Sequence, residues 1–328
     1  MSFPEIRYCP GTLAEGFTTY SRTCLKRVFQ GKSVDHKLTY NSPASDPETH
    51  TLFEQNLNRM SISGVQEKFS VLLEKNKLRL VREGERGTYI LKPIPRGVKR
   101  PDQMPANEHL TMQIARQVYK IETAENALIF FNDGAPAYIT RRFDVKEDGT
   151  KLAQEDFASL AGRTPQTHGE HYKYSGNYLE LFQLMQTQLP TYKTEAPKLL
   201  KLLIFNYLFS NGDAHHKNFS ILETPMGDSR LSPAYDLLNT RIHVVDKDFA
   251  LDEGLLPKSS TLGKIGRQFA LLAENAVIGK KIFNDTLELM VSKSLKVEKL
   301  VAASFLDETT KRNYWQSYQG RLKQLLKV

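Results

Sequence analysis

The sequence predicts an α+β chain in two parts, a β-rich one followed by a mainly helical one. Two patterns carry this expectation. Up to about residue 145 the apolar residues fall in short runs bounded by turn residues, whereas from about Glu155 they recur three and four apart. The chain has 328 residues, 40% hydrophobic and 25% charged, which suits a globular protein with two cores. The expected division is 1–145 and 146–328.

Residues 1–55 carry no clear period, and 41–47 read as a loop from their Asn, Ser, Pro and Asp content. Residues 69–73 and 78–81 read as strands joined by a turn at 74–77. Residues 88–92 form a third strand, stopped by Pro93 and Pro95. From 106 to 119 the period turns helical, with Leu110, Ile114 and Val118 on one face. Residues 127–131 and 137–140 are again strands, around the turn Asn132-Asp133-Gly134. Helices are expected at 178–189, 196–210, 266–276, 285–294 and 309–326, with a loop-rich segment over 211–265.

Composition excludes several classes. No apolar run approaches the ~20 residues that span a bilayer, and Met1-Ser2-Phe3-Pro4-Glu5 lacks a signal-peptide pattern. Cys9 and Cys24 form no disulfide framework, so a reducing cytoplasm is the expected compartment. Two thiols with only His36 nearby fall short of a zinc site. The net charge of +8 is concentrated at Lys75, Lys77, Arg79, Arg82, Arg86, Lys92, Arg96, Lys99 and Arg100. A solvated surface or nucleotide phosphate explains it before DNA does, since no helix-turn-helix or zinc-finger pattern is present.

The chemistry is densest at Asn211-Gly212-Asp213-Ala214-His215-His216-Lys217-Asn218, followed by Ser232-Pro233-Ala234-Tyr235-Asp236. An acid, an amide five residues on and a second acid beyond are what phosphoryl transfer from ATP requires. Asp213 is the candidate catalytic group, positioning the acceptor hydroxyl. Asn218 and Asp236 offer the hard oxygens that suit Mg²⁺. Lys217 can offset charge on the transferred phosphate, and His215 and His216 stabilise the loop. Upstream, Ser61-Ile62-Ser63-Gly64-Val65-Gln66-Glu67-Lys68 offers a glycine and two hydroxyls to phosphate oxygens, and is equally an ordinary turn before a strand. Lys92 at a strand end is the candidate ATP lysine, with Glu108 as the partner that would orient it. Arg141-Arg142-Phe143-Asp144 closes the last strand of the first part, where a linker would line an adenine pocket. A β-rich lobe followed by a helical lobe with the acids on loops is a bilobal, protein-kinase-like order of parts.

At these residues the chain resembles the HipA family of bacterial serine/threonine kinases. The matching motifs, in the family's order, are Ser63 to Lys68, Ile90-Leu91-Lys92-Pro93, Asn107-Glu108, Arg142-Phe143-Asp144, Glu155-Asp156-Phe157, Gly212 to Asn218 and Pro233-Ala234-Tyr235-Asp236-Leu237-Leu238. The resemblance implies a phosphate loop of Ser63, Gly64, Val65, Gln66, Glu67 and Lys68, with Lys92 as the ATP lysine. It implies adenine-side contacts from Arg141 and Phe143, where Arg141 replaces an expected acidic residue. It further implies that Asp213 is the catalytic acid. His215, His216, Lys217, Asn218 and Tyr235 would be nucleotide-side contacts, and Asn218 and Asp236 the metal ligands. Ser61 and Ser63 would be autophosphorylated, a pattern closer to the short HipT branch.

Family members are toxins of toxin–antitoxin pairs, so the resemblance implies an aminoacyl-tRNA synthetase as the protein substrate. It implies a small helix-turn-helix (HipB-like) antitoxin as partner and, in the HipT branch, a separate HipS-like protein. DNA would be reached only through the antitoxin, and no membrane is involved. The alternatives are a small-molecule kinase and a catalytically weak kinase-like module that binds a DNA-bound partner.

Overall fold

The structure, a computed structural model, describes residues 5–43, 67–146, 148–260 and 263–327. These fall into two compact units. The first draws on Met1–Gln113, Ala124–Thr150 and Lys299–Lys311; the second on Ile114–Thr123, Lys151–Glu298 and Arg312–Val328.

The first unit is organised by one antiparallel sheet. Its strands are β1 (Phe69–Glu74), β2 (Lys77–Leu80), β3 (Tyr89–Lys92), β4 (Asn126–Phe130) and β5 (Pro136–Arg141), in the order β2-β1-β3-β5-β4. The β1–β2 hairpin closes through Lys75 and Asn76, both left-handed (φ 46° and 64°), with Glu74 opposite Lys77. Two consecutive left-handed residues twist a two-residue turn in the sense that the strands need. The β4–β5 hairpin turns at Asn132-Asp133-Gly134, where Gly134 has φ 84° and Asp133 Oδ1 accepts from the Ala135 amide at 3.2 Å.

Inward-facing Phe69, Val71, Tyr89, Leu91, Ala127 and Ile129 pack under helix α1 (Arg22–Val28). The other face of β4 is covered too, with Leu128 and Phe130 packed near Ile6 and Phe305. That is why β4 is buried at every position and shows no alternation. Helix α1 lies in the stretch without a sequence period. It has two turns and buries only Cys24 and Val28, a face too short to register. Its start is fixed by Ser21, whose Oγ accepts from the Cys24 amide at 3.2 Å. The long helix α2 (Met104–Gln117) buries Leu110 and Ile114 as expected, and also polar Asn107, Glu108 and Gln113.

The second unit is mainly helical. After the short helices α3 (Phe157–Leu160) and α4 (Pro165–His168) come α5 (Leu179–Gln188), α6 (Tyr192–Leu208), α7 (Ile265–Asn275), α8 (Lys280–Val291), α9 (Ser294–Ala303) and α10 (Glu308–Leu325), of which the end of α9 and the start of α10 count with the first unit. Five were anticipated from the period. Helix α6 begins ahead of the expected 196 and contains Pro197, α8 is the helix expected at 285–294 but starts earlier, and α9 lies where no helix was expected. An aromatic cluster forms part of the core. Phe205 stacks on Phe209 with ring centres 4.4 Å apart, Phe209 stacks on Tyr318 at 5.0 Å, and Tyr119 meets Phe205 edge-on at 5.7 Å.

A small antiparallel sheet also sits in this unit: β6 (Gln154–Asp156), β7 (Ser220–Glu223) and β8 (Ser229–Leu231), in that order. The segment read as loop therefore contains two strands. At three and four residues they are too short to display a period. Pairing β6 with β7 sets Asp156 against Ser220, directly after the acid-rich loop.

Candidate active site

In the second unit the loop starts where α6 stops. Ser210 takes a left-handed conformation (φ 53°) and turns the chain out of the helix. Asn211 is buried and ties the turn down. Its amide donates to the Asn206 carbonyl at 2.9 Å, and its Nδ2 donates to Asn206 Oδ1 at 3.1 Å and to the Asp236 carbonyl at 3.3 Å. Asp236 is itself left-handed (φ 54°), a conformation that costs a non-glycine residue about 1 kcal/mol or more and persists where neighbours enforce it. One amide side chain thus links the start of the Asp213 loop to the Asp236 turn. The Gly212 amide donates to Thr240 Oγ1 at 2.9 Å. Gly212 has no room for a side chain, since a Cβ there would lie 2.2 Å from Asp246 Oδ2.

Asp213 is half exposed, with a side-chain exposure of 51%. Its Oδ1 accepts from the Tyr174 hydroxyl at 2.8 Å, and its backbone carbonyl accepts from the His215 amide at 2.7 Å. Burial pushes the His215 imidazole down to about 3, so the ring is neutral. His216 is fully buried and is also lowered, to about 4, first by burial and then by Arg163. Its contacts define a tautomer: Nδ1–H donates to the Lys173 carbonyl at 3.1 Å, and Nε2 accepts from Arg163 Nη1 at 2.8 Å. Arg163 is in turn ion-paired with Glu180.

Lys217 Nζ is 3.4 Å from the Tyr172 hydroxyl. The Tyr235 hydroxyl donates to the Lys217 carbonyl at 2.9 Å and lies 2.6 Å from Ser220 Oγ, so this tyrosine braces the loop backbone. Asn218 Oδ1 is buried with no hydrogen-bond partner among the described residues. A buried acceptor left unpaired is costly. An amide oxygen left open in this way is of the hard-donor type that Mg²⁺ takes, as is the carboxylate of Asp236, so the residue types fit that ion, which keeps waters and phosphate oxygens at its other positions. Among the described residues no group of three or more His, Cys, Asp or Glu is placed to hold a metal, and a two-donor magnesium site needs none. Asp246, near Asp213, has its carboxyl raised by burial and, more weakly, by the Asp213 charge.

In the first unit, Lys92 ends β3 and is almost sealed from water, as is Glu108 on α2. Their side-chain exposures are 5% and 1%, and Lys92 Nζ donates to Glu108 Oε1 at 2.7 Å. The pairing suggested by sequence order is present. Lys92 Nζ also lies 5.4 Å from the centre of the Tyr138 ring. Arg141 is partly exposed and lies opposite Tyr89 in the sheet, and Phe143 is partly buried after it. Between them Arg142 grips the buried Asp144 through both carboxylate oxygens, at 3.0 and 2.6 Å. This fork was not anticipated, although Arg-Phe-Asp spacing could have signalled it. Glu67 and Lys68 are partly buried before β1. Ser61, Ser63, Gly64, Val65 and Gln66 lie outside the described residues. Tyr174 and Arg163 went unnoticed in the sequence because each is an isolated residue far from the loop it serves.

The HipA-like C-terminal domain family matches residues 60–297. A Sinorhizobium fredii relative named "Putative kinase Y4dM" is 30% identical over 264 residues, covering 75% of this chain and 60% of that protein. A Haemophilus influenzae "Putative kinase" is 24% identical over 343 residues, covering 98% of this chain and 97% of the relative. The chain thus spans about three-fifths of the first relative and nearly all of the second.

Among solved structures, HipA in the Shewanella oneidensis HipA, HipB and operator DNA complex is similar in fold, with a TM-score of 0.62. The identity is 20%, with 81% of this chain and 65% of that one covered. The Helicobacter pylori proinflammatory kinase CtkA has a TM-score of 0.52 and 14% identity, with 77% of this chain and 92% of that one covered. The α+β, kinase-like fold is therefore shared with both. With its match running from before β1 to α9, this chain belongs to the HipA-like C-terminal domain family.

Proposed function

We propose that this chain is an ATP-dependent serine/threonine protein kinase acting as the toxin of a toxin–antitoxin pair. The observation that carries the reading is the buried Lys92–Glu108 ion pair. Burying two charges costs several kcal/mol per ion before their attraction is counted, and a well-packed apolar pair of the same size is often at least as stable. A lysine kept charged and oriented in such a place suits the handling of nucleotide phosphates.

Each residue has a role. Lys92, aimed by Glu108, holds phosphate oxygens of ATP. Asn218 and Asp236 would hold the cation, and Ser63 to Lys68 would supply the phosphate loop. Magnesium-bound ATP supplies the transferable phosphoryl group and the positive charge that neutralises its oxygens. Asp213 accepts a hydrogen bond from the acceptor hydroxyl, aligns its oxygen for attack and takes its proton as the new P–O bond forms and the bond from the γ-phosphorus to the bridging oxygen breaks, releasing ADP. Lys217 balances charge that gathers on the phosphoryl oxygens.

The acceptor is a serine or threonine of a protein, by family an aminoacyl-tRNA synthetase, and in self-inactivation Ser61 or Ser63. A phosphate on that loop adds about −2 charge where ATP phosphates would sit, which repels the nucleotide. A HipB-like DNA-binding antitoxin, and a HipS-like one, are the expected partners. The fold neighbour from Shewanella oneidensis is a HipA solved with HipB and operator DNA, which supports this partner class. Among the described residues no helix is long and apolar enough to cross a membrane.

The test is incubation of the purified chain with γ-labelled ATP and magnesium. The wild-type chain transfers label to protein, and Asp213→Asn lowers the rate by about 10³ or more. Equal labelling by the two would remove Asp213 from the chemistry and with it this reading.

A further inference from the structure

Ahead of α5 the chain makes a single 3-10 turn, Tyr172–Tyr174, that is tied to its surroundings through its backbone. Three consecutive carbonyls each accept a hydrogen bond from a different partner. The Lys173 carbonyl takes His216 Nδ1–H at 3.1 Å, the Tyr174 carbonyl takes the Asp252 amide at 2.9 Å, and the Ser175 carbonyl takes Arg163 Nη1. Arg163 is fixed from its other side by Glu180, and Glu180 also accepts from the Asn177 amide at 3.2 Å. The ring of Tyr174 is held as well, edge-on to His215 with centres 5.2 Å apart and beside His171 at 6.5 Å. All this fastening points one group, the Tyr174 hydroxyl, at Asp213 Oδ1, 2.8 Å away.

We infer that Tyr174 is a positioning residue for phosphoryl transfer: its hydroxyl fixes the Asp213 carboxylate so that the acceptor hydroxyl meets a pre-aligned base. The inference rests on the proposed role of Asp213. An aspartate on a half-exposed loop samples several orientations about its last torsion, which is broad. A donor bonded to one oxygen removes that freedom before substrate arrives, and a carboxylate has acceptor capacity on two oxygens. The donor is also of a suitable kind. A lysine or arginine in this place would pair with Asp213 as an ion and draw down its basicity, whereas a neutral phenol orients it more gently. The phenol stays protonated, since burial first and the Asp213 charge next raise it above its ordinary range.

The experiment is Tyr174→Phe, which deletes the hydroxyl and keeps the ring. Turnover of γ-labelled ATP is counted as protein-bound label plus released phosphate. Loss of a hydrogen bond to a charged group is expected to lower the maximal rate about tenfold or more, with the half-saturating ATP concentration and the melting temperature close to wild type. In an Asp213→Asn background the same change is expected to cost less than about twofold, because the two side chains act as one unit. An unchanged maximal rate, a raised one, or full additivity with Asp213→Asn would each overturn the inference. If Asp213→Asn turns over ATP like the wild-type chain, or the wild-type chain does not turn it over, the proposed function itself fails, and that result is distinct from the others.

Discussion

Glu108 Oε1 takes a hydrogen bond from Lys92 Nζ at 2.7 Å, and the two side chains expose only 1% and 5% of their surfaces. Lys92 and Glu108 themselves lie within one unit, so this contact belongs to the fold of that unit whatever binds there.

Breaking the pair from one side is expected to be costly. Glu108→Gln removes the carboxylate charge from beside the buried Lys92 Nζ, a change worth up to about 3–5 kcal/mol of stability. Replacing both, as Lys92→Met with Glu108→Leu, is expected to return most of that stability while phosphoryl transfer stays lost. Denaturant unfolding and labelled-ATP turnover on the same three proteins check both halves. Recovery of activity in the double variant would detach the pair from the chemistry.

Gly212→Ala is expected to damage the catalytic loop. The added methyl would lie 2.2 Å from Asp246 Oδ2, and that carboxylate is held by the Thr240 hydroxyl and by the Lys247 amide at 2.8 Å. Overpacking of this sort costs about 1–3 kcal/mol. Activity should fall further than stability, because Gly212 precedes Asp213. Trimming Asp246→Ala in the same chain should recover part of the stability. A Gly212→Ala protein that unfolds like wild type would contradict the packing.

Ser61→Ala with Ser63→Ala is expected to give a chain that still labels a protein acceptor and no longer labels its own loop. Mass spectrometry of the peptide around residue 62 reads the result. Continued phosphate on that peptide would place the modified residue elsewhere.

His109 sets an expected pH dependence in the first unit. The ring is wholly buried, Nε2 has no partner, and desolvation lowers its proton affinity to about 3, against an opposing bond to the Gly11 carbonyl. The folded value lies below the ordinary 6.5, so the neutral form is the one that folds. Its contribution to stability is therefore whole above about pH 6.5, declines as the unfolded chain takes up a proton, and is gone once pH has fallen through about 3. Denaturant midpoints between pH 7 and 4 should slope less steeply for His109→Gln than for wild type. Parallel slopes would mean that the ring titrates normally in the fold.

Much of the fold was legible in the order of residues. The five strands of the larger sheet and the long helices appear close to where periodicity put them, because burial on one face writes a local repeat into the chain. The turn at Lys75 and Asn76 was legible for the same reason, as was the Lys92–Glu108 pairing, where a charge at a strand end is followed by an acid early in the next helix.

What the residues could not announce are the contacts that exist only after packing. Helix α1, strands β6 to β8, the Arg142–Asp144 fork and the line from Glu180 through Arg163 and His216 to Lys173 leave no repeat in the sequence. The bond from Tyr174 to Asp213 is of the same kind. Hydrophobic periodicity reports which face of a segment is buried. Which polar group meets which is settled afterwards, when buried donors and acceptors must find partners among whatever the closed chain brings near. The sequence alone therefore determined the class of fold and the family, and it named the candidate residues for phosphoryl chemistry. The tertiary structure decided how those residues are held, since orientation comes from neighbours distant along the chain.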